Sequence, residues 1–558
     1  MTTRHFKVWP TGKPRTLTVP ITSVYDNLVV SAKRYPNKPA IEYYGTPISY
    51  HDVLEACESL AGYLQEACGV QKRDRVILYI QNSPQYVIAF HAILRADAVV
   101  VPLNPMNVTE ELRHYREDCG ATVAIVGQEL YSRIQPLIGE SGLKHVVTAT
   151  YSDYLSSDHD ESLPEVILAP RAMVADPQTV AWTEALAAGM KAHTHTAVSE
   201  DMAILPYTSG TTGVPKGCIH PHRTVQANIV SVCTWYGITP SSVTLTALPL
   251  FHVTGMVHGM LGAIYSGAQM VIMTRWDRDM AAKLIERTRV TNWTNIATMV
   301  VDFLAHPNID NYDISSLTNV GGGGATLPKA VGERLFEMTG VRYSEGYGLS
   351  ETIAQTHMNP PQAPRLQCMG IPAFDVDARI IDPVTLEQLG RNEEGELIVH
   401  GPQVFNGYWN RPDEDANAFV LIDGKRFFRT GDIAKYDRDG YYYMVDRVKR
   451  MINAAGFKVW PSEVESILYQ HPAIEQACVI AAPDRRRGES PKAFVILRGP
   501  FKGKVSAREI MDWSREQMAA YKVPREVEFV DSLPVSGTGK ILWRKLQEEE
   551  YERWAARA

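Results

Sequence analysis

Short runs of β-branched and other apolar residues alternate along this chain with longer stretches of helix-forming residues. Residues 76–80, 121–126 and 271–273 are runs of the first kind, and residues 55–67 and 280–288 are stretches of the second. Buried parallel strands have near-continuous apolar sequences, and each needs a crossover connection, usually a helix, before the next strand. The pattern therefore predicts an α/β fold built mainly on parallel strands.

The length of 558 residues is too great for one hydrophobic core. The sequence changes character near Asp446, where charged residues are followed by strands and helices on a smaller scale. We predict a large domain over residues 1–445, a hinge over 446–449 and a small C-terminal domain over 450–558. The segment 152–197 is rich in Asp, Ser, Pro and Ala, and we expect it to be an irregular excursion within the first domain.

Composition excludes several classes of protein. A hydrophobic content of 45% and a formal net charge of −7 argue against a disordered chain and against a basic nucleic-acid binder. Seven cysteines without a CxxC pair favour reduced thiols and a cytoplasmic location. We also expect no secretory signal and no transmembrane segment, because every long apolar run is interrupted by charged residues.

The stretch 207–217, YTSGTTGVPKG, has the composition of a phosphate-binding loop. Three glycines, four aliphatic hydroxyls and one lysine offer backbone N–H groups, hydroxyl donors and a positive charge to a polyphosphate. It is not the G-x-x-x-x-G-K-[ST] loop, because Lys216 is followed by Gly217. The residues expected to contact phosphates are Thr208, Ser209, Gly210, Thr211, Thr212, Gly213 and Lys216.

Four later segments extend this signal: 346–352 (GYGLSET), 429–432 (RTGD), 446–449 (DRVK) and 534–540 (PVSGTGK). With the loop, they resemble in order the motifs of the adenylate-forming enzymes, which include acyl-CoA synthetases, luciferases and peptide-synthetase adenylation domains. The resemblance spans nearly the whole chain. It implies a large N-terminal domain of mixed sheets with helices and a small, mobile α+β C-terminal domain.

The resemblance implies an ATP site. Glu351 is a hard oxygen ligand beside a glycine-rich turn, as Mg²⁺ requires, and Thr211 is the second candidate for the metal site. Tyr347 offers a flat face to adenine, with the backbone of Glu345 and Gly346 at its edge. The remaining nucleotide contacts are expected from Ser350, where the family more often has threonine, from Asp432 to the ribose, and from Arg447 and Lys540.

The same resemblance implies a reaction in two steps, with a rotation of the small domain between them. Lys540 bridges the carboxylate and the α-phosphate during adenylation. The small domain then rotates about Lys449 before a thiol attacks the acyl carbon. Arg275 and Gly456 are expected to contact CoA, although Asn453 stands where some relatives carry a lysine.

Residues 249–255, PLFHVTG, resemble the segment that borders the acyl pocket, and His252 resembles its aromatic gate. The aspartate that pairs with the ammonium of amino-acid substrates in some relatives is absent from this segment, and an uncompensated ammonium there would be costly. A hydrophobic carboxylic acid is therefore expected, with a medium- or long-chain fatty acid first. The other pocket candidates are Trp235, Met256, Thr298, Met299, Val300, Gly322, Gly323, Leu349 and Ile353.

The sequence thus predicts an ATP-dependent acyl-CoA synthetase that uses Mg²⁺ and CoA. An aryl- or branched-acid ligase, an acyl-AMP ligase that loads a separate carrier protein, and a luciferase-like oxygenase share the same motifs and stay open. The histidine pairs 193/195 and 220/222 suggest no metal site, because the sequence points to no further ligands. A homodimer is expected only from its frequency among soluble enzymes.

Overall fold

The computed structural model describes residues 3–139, 142–157, 163–172, 174–208, 215–324, 326–454, 457–484, 488–535 and 541–556. The chain forms two compact units. The first comprises Met1–Asp377, Val399–Phe428 and Asp439–Tyr441, and the second comprises Ala378–Ile398, Arg429–Arg438 and Tyr442–Ala558. The domain borders and the hinge drawn from the sequence stay predictions.

A nine-stranded sheet forms half of the first unit's framework. Its inner strands pair in parallel, and antiparallel strands lie at both edges. The strands lie side by side in the order Ile371–Pro372, Ala354–Met358, Ser344–Leu349, Asn319–Gly322, Asn292–Asn295, Val243–Thr246, Gln269–Ile272, Pro39–Tyr43 and Thr46–Ser49.

A seven-stranded sheet forms the other half, and all of its pairs but one are parallel. Its inner strands are apolar and buried on both faces, as parallel strands covered by helices must be. In spatial order the strands are His220–Pro221, Met202–Ile204, Val99–Pro102, Arg75–Tyr79, Val123–Gly127, His145–Ala149 and Thr179–Ala181.

Three helices of the first unit begin at side chains that accept hydrogen bonds from their free N–H groups. Ser49 and Asp52 form a capping box, Ser83 accepts from the Tyr86 N–H group ahead of a first-turn proline, and Asp277 accepts from Met280. The α-helices are Tyr25–Arg34, Tyr50–Glu66, Pro84–Arg95, Thr109–Cys119, Tyr131–Ile134, Glu165–Leu168, Trp182–Ala187, His222–Tyr236, Gly262–Ser266, Arg278–Thr288, Ala297–Leu304, Lys329–Thr339 and Pro412–Ala418, with a π-helix at Gly255–Leu261. Short 3₁₀ helices cover Arg4–Lys7, Gln128–Leu130, Gln135–Leu137, Tyr151–Tyr154, Ile309–Asn311 and Ser350–Thr352.

Two hairpins complete the first unit. Tyr207–Thr208 pairs with Lys216–Gly217, and Phe419–Ile422 pairs with the beginning of Lys425–Tyr436. Later residues of that strand belong to the second unit, where they pair with Tyr442–Arg447. The strands Asp377–Ile381 and Gly395–His400 also contribute residues to both units.

The second unit contains an antiparallel sheet and one parallel pair. Ile474–Asp484 and Gly488–Leu497 form its long central hairpin, and Glu526–Phe529 lies parallel to the second of these strands. The strands Ile452–Ala454 and Phe457–Val459 complete the sheet. Its helices are Pro461–Leu468, Ala507–Gln517 and Trp543–Ala555, with 3₁₀ turns at Val448–Arg450 and Gly499–Phe501.

The predicted α/β class and the combination of a large and a small unit are confirmed. The segment 152–197 is more ordered than expected, because Thr179–Ala181 pairs with His145–Ala149 and leads into a short helix. Three residues are too few to show a strand pattern in the sequence. Within the described residues, no helix is both long and apolar enough to span a membrane.

Candidate active site

The predicted phosphate-binding loop is closed at its base by a hairpin. Thr208 and Lys216 are direct partners across its two short antiparallel strands. Ser209, Gly210, Thr211, Thr212 and Gly213 lie outside the described residues. The pairing fixes the two ends of the loop, and the carbonyl of Gly217 accepts a hydrogen bond from the N–H group of Trp409, 2.8 Å away.

Lys216 is held between a carboxylate and an aromatic ring. Its Nζ lies 2.8 Å from Oε2 of Glu414, and 4.7 Å from the centre of the Tyr408 ring. Only 17% of the lysine side chain is exposed, whereas Glu414 is half exposed. A mostly buried ammonium with one exposed carboxylate partner can exchange that partner for another anion.

Glu351, the predicted metal ligand, lies on the other side of the same tyrosine. The Tyr408 hydroxyl donates to Oε1 of Glu351 over 2.9 Å, and the N–H group of Phe405 donates to the Glu351 carbonyl. Burial, followed by the charge of Glu351, raises the pKa of Tyr408 well above its ordinary value, so its hydroxyl stays protonated. Lys216 and Glu351 are thus brought together through Tyr408.

A half-buried carboxylate in this position fits Mg²⁺. The ion prefers oxygen ligands and is commonly held by one or two carboxylates together with substrate phosphates and water. Where the structure describes the chain, no group of three or more His, Cys, Asp and Glu side chains is placed to hold a metal. Glu351 would supply the protein's carboxylate, and Thr211 lies outside the described residues.

The backbone that carries Ser350 and Glu351 is strained and braced. Ile353 and Ala354 adopt φ angles of 43° and 102°, which non-glycine residues rarely adopt. Asn228 donates from Nδ2 to the carbonyls of Thr352 and Ile353, at 2.9 and 3.0 Å. These two hydrogen bonds hold the turn in a conformation that residues other than glycine rarely adopt.

A buried histidine fixes Ser350 itself. His220 Nε2 lies 2.7 Å from the Ser350 carbonyl, which can only accept, so this nitrogen carries the proton. Burial lowers the pKa of His220 to about 4, so the ring is neutral near pH 7. Among the four histidines considered as metal ligands, His220 and His222 instead bond to Ser350 and Val24, and His193 and His195 bond to Glu66 and Asp97.

The segment predicted to bind adenine lies in the strand Ser344–Leu349, which hydrogen bonds from neighbouring segments hold in place. The buried Glu345 carboxylate accepts from the N–H groups of Leu327, Gln367 and Cys368, at 3.0 to 3.2 Å. Burial raises the pKa of Glu345, against the effect of these three bonds. Tyr347 is only partly buried, and its ring lies edge-on to His357, with 5.9 Å between centres. The role of Tyr347 toward adenine stays a prediction.

Gly322 and Gly323 are required for the close approach of neighbouring strands. A Cβ on Gly322 would lie 1.8 Å from the carbonyl oxygen of Asn295, and one on Gly323 would lie 2.6 Å from that of Gly346. Both glycines are candidates for the acyl pocket. The structure shows that backbone atoms of the sheet lie against their Cβ positions, and a contact with the substrate stays a prediction.

The other acyl-pocket candidates fall into several environments. Met256 and Ile353 belong to one buried apolar cluster, and Met299 and Val300 belong to another. Trp235 is fully buried, donates to the Asn359 carbonyl and contacts the rings of Trp9 and Phe374. Leu349 is half-buried, and His252 and Thr298 are exposed. A substrate pocket with these residues would join the two clusters, and their role stays a prediction.

Comparison with known proteins gives a consistent result. Residues 28–409 match the family of AMP-binding enzymes, and residues 463–540 match the C-terminal domain of AMP-binding enzymes. The chain belongs to the AMP-binding enzyme family.

Relatives resemble this AMP-binding enzyme over its whole length. A long-chain-fatty-acid–CoA ligase of Bacillus subtilis is 35% identical, and the alignment covers 98% of this chain and 97% of the relative. A long-chain-fatty-acid–CoA ligase of Escherichia coli O157:H7 is 33% identical, with coverage of 97% of this chain and 98% of the relative. The crystal structure of ATP-bound MatB from Rhodopseudomonas palustris superposes with a TM-score of 0.80, at 26% identity, over 95% of this chain and 99% of that one.

Three predicted residues of the AMP-binding enzyme lie in the second unit. Asp432 and Arg447 are cross-strand partners, and Nε of the arginine lies 3.0 Å from Oδ1 of the aspartate. Asp432 is buried, whereas Arg447 and Lys449 are exposed. Lys540 and Gly456 lie outside the described residues.

The predicted CoA-contact residue Arg275 belongs to the first unit. Its side chain is exposed, and Nε donates to Oε1 of Gln81 over 2.8 Å. This hydrogen bond orients the guanidinium, whose other N–H groups are available to an anion. The role of Arg275 stays a prediction.

Sequence reasoning missed Tyr408 and Glu414. Both belong to the segment 406–414, which lies between the recognised motifs. The only available signal was the sequence Asn406-Gly407-Tyr408-Trp409, in which a glycine precedes two large aromatic residues. Such a signal is weak without the contacts to Lys216 and Glu351.

Proposed function

We propose that this AMP-binding enzyme activates a medium- or long-chain fatty acid with ATP and transfers the acyl group to CoA. The single observation that carries the proposal is the cluster of Lys216, Tyr408 and Glu351. In this cluster the Lys216 ammonium lies over the Tyr408 ring and the Glu351 carboxylate accepts from its hydroxyl, and these two groups have the chemistry to bind a phosphate and a metal ion. The names of the Bacillus and Escherichia relatives support a fatty acid as the substrate and CoA as the acceptor.

In the first half-reaction, an oxygen of the substrate carboxylate attacks the α-phosphorus of ATP. The new O–P bond forms as the bond to the pyrophosphate oxygen breaks, which gives acyl-AMP and pyrophosphate. Lys216 and the hydroxyls of the 208–213 loop hold the departing phosphates, and Lys540 neutralises charge at the α-phosphate. Mg²⁺ at Glu351 and Thr211 would neutralise phosphate charge.

The nucleoside would be held by the residues of the later motifs. Tyr347, Gly346 and Glu345 would contact adenine, Ser350 the α-phosphate, and Asp432 the ribose hydroxyls. Arg447 is already paired with Asp432, with Nε 3.0 Å from Oδ1, so a positive charge lies beside the carboxylate proposed to bind the ribose.

In the second half-reaction, the CoA thiolate attacks the acyl carbon and AMP leaves. Lys449 would serve as the pivot between the two steps, His252 would move aside for the thiol, and Arg275 and Gly456 would contact CoA. The exposure of His252 and Lys449 suits residues that change position during a cycle.

The finer choices are proposals as well. Apolar side chains such as Met256 and Met299 suit an adaptable aliphatic pocket, which favours a fatty acid over an aryl or branched acid. All seven cysteines are buried free thiols, which suits a reducing cytoplasm. A homodimer is the default oligomer for such an enzyme.

Pyrophosphate release from ATP and Mg²⁺ tests the function across fatty, aryl and amino acids, each with and without CoA. We expect CoA-dependent turnover that is highest with an aliphatic acid. Turnover with fatty acids that CoA does not accelerate would indicate an acyl-AMP ligase for a carrier protein. Turnover only with aryl or amino acids would contradict the proposal.

A further inference from the structure

Tyr408 connects the two charged groups on which the proposed function rests. Its hydroxyl lies 2.9 Å from Oε1 of Glu351, and its ring centre lies 4.7 Å from Nζ of Lys216. The two contacts use different parts of the side chain, so that substitutions can separate them. A hydrogen bond to a carboxylate restricts its orientation, and a ring beneath an ammonium restricts its position.

The tyrosine is itself held rigidly. It is only 7% exposed, and its N–H group donates to Oδ1 of Asp415 over 2.8 Å. The preceding Gly407 has a φ of +148°, and a Cβ there would lie 2.4 Å from Oδ2 of the same aspartate. The Phe405 ring packs against the Tyr408 ring with 4.8 Å between centres. Because its backbone and its ring are both held, Tyr408 can restrict the positions of Glu351 and Lys216.

We propose that Tyr408 is a positioning residue of the metal–nucleotide site, which orients the Glu351 carboxylate for Mg²⁺ and holds Lys216 at the matching distance for the phosphates. The proposal deepens the proposed function and rests on it. The hydroxyl holds Oε1, and this hydrogen bond fixes the orientation of the carboxylate as a whole. Partners that orient a metal ligand typically contribute about 10- to 100-fold to metal affinity or activity.

The structure contains a matched control for this arrangement. Tyr441 is also buried, donates its hydroxyl to a carbonyl oxygen, that of Ala363, over 2.7 Å, and lies beneath a cation, Arg365, with Cζ 3.8 Å from the ring centre. It therefore makes the same two kinds of contact within the same unit, and neither of these two contacts involves Glu351 or Lys216. Tyr441→Phe measures the general cost of losing such a hydroxyl.

The test is calorimetric binding of a non-hydrolysable ATP analogue to the full chain, first with a chelator and then with increasing Mg²⁺. For Tyr408→Phe we expect unchanged metal-free affinity, because the ring under Lys216 remains, and an apparent Mg²⁺ affinity weakened about 10-fold. For Tyr408→Leu we expect metal-free affinity to fall as well, by about 3-fold, because the contact between the ring and the ammonium is lost. Tyr441→Phe should match wild type in both measurements.

A double-mutant cycle decides whether Tyr408 acts through Glu351. Adding Tyr408→Phe to Glu351→Gln should cause no further loss of Mg²⁺ affinity, since the carboxylate to be oriented is gone. Additive losses, or equal Mg²⁺ affinity for Tyr408→Phe and wild type, would overturn the proposal. Thermal unfolding of Tyr408→Phe beside Tyr441→Phe identifies any general loss of structure, and Tyr408→Leu supplies an independent comparison.

The outcomes also separate this proposal from the proposed function. If the wild-type chain binds no ATP analogue and releases no pyrophosphate with any acid, the proposed function fails. If the wild type does both and Tyr408→Phe keeps wild-type metal dependence, only the role of Tyr408 fails.

Discussion

Two lysines with little exposure to solvent, one in each unit, show how differently this chain uses a positive charge. Lys492 in the second unit is 2% exposed, and its Nζ lies 2.8, 2.9 and 2.8 Å from carboxylate oxygens of Glu526, Glu528 and Glu550. Lys216 in the first unit is 17% exposed and, within the described residues, has one carboxylate partner, which is itself half exposed.

The difference indicates which charge is structural and which is functional. An ammonium surrounded by three carboxylates has no capacity for a further anion, and it holds the strands and helix that carry them together. An ammonium with one exchangeable partner and an aromatic ring can accept phosphates without losing its position.

Acid should affect the two units unequally. Burial lowers the pKa of each of six histidines in the first unit to about 3 or 4, whereas the second unit has only His471, which is less buried. In the unfolded chain these imidazoles take up protons near pH 6.5, whereas in the folded unit they stay neutral to a lower pH. The free energy of unfolding therefore falls as the pH drops from about 6.5 to 4. The six are His5, His91, His220, His222, His258 and His357.

Each of these histidines lowers the free energy of unfolding by up to about 3 kcal/mol when the pH has fallen to 4. We therefore expect the first unit to unfold above that pH. Hydrogen exchange at decreasing pH, followed by mass spectrometry, measures each unit separately. Protection lost first, or equally, in the second unit would contradict the assignment of buried neutral histidines.

Lys492→Met should destabilise the second unit by about 3–5 kcal/mol, because it leaves the buried Glu550 carboxylate without its principal counter-charge. Urea unfolding measures the loss. Lys522→Met is the control, since within the described residues that lysine has one carboxylate partner, Glu463. A stable Lys492→Met variant that had lost only activity would reverse the roles of the two lysines.

Lys216→Met should have the opposite signature. We expect acyl-AMP formation to fall about 10²- to 10³-fold, as for the loss of one electrostatic contact to a transition state, with little change in melting temperature. Exchange of pyrophosphate into ATP measures the first half-reaction alone. Lys72→Met removes a lysine paired with Asp201 at the same 2.8 Å and should leave exchange intact. Equal loss in both variants would show that Lys216 has no special role.

Glu414→Gln should have the smallest effect. It removes the carboxylate that occupies Lys216, so we expect the KM for ATP to fall by about 2- to 3-fold, as the loss of an exposed ion pair permits. Steady-state kinetics measure the change, and Glu200→Gln, which breaks an exposed pair with Arg223, is the control. A raised KM would mean that Glu414 supports Lys216 and does not compete for it.

Local sequence predicted the elements and the motif residues more completely than the contacts among them. Apolar runs such as 76–80 are strands because burial on both faces requires that composition, and the alternation with helices predicted the α/β class, now confirmed. Lys216 and Glu351 were predicted from their motifs, because each carries its chemistry within a few neighbouring residues.

The contacts between distant segments were not predictable in the same way. Tyr408 and Glu351 are separated by 57 residues, and Lys216 and Glu414 by 198. The glycines at 322 and 323 also have a role that composition cannot show, since only the folded sheet brings the carbonyls of Asn295 and Gly346 against them.

The Mg²⁺ requirement of Glu351→Gln shows whether the Glu351 carboxylate binds the metal. Pyrophosphate release would be measured against Mg²⁺ concentration for this variant and for wild type, with saturating ATP and the preferred acid. If Glu351 supplies the metal-binding carboxylate, the variant should need about 10-fold more Mg²⁺ for half-maximal release. An unchanged Mg²⁺ requirement would remove Glu351 from the metal site and, with it, the reading of the Lys216–Tyr408–Glu351 cluster as a metal–nucleotide site.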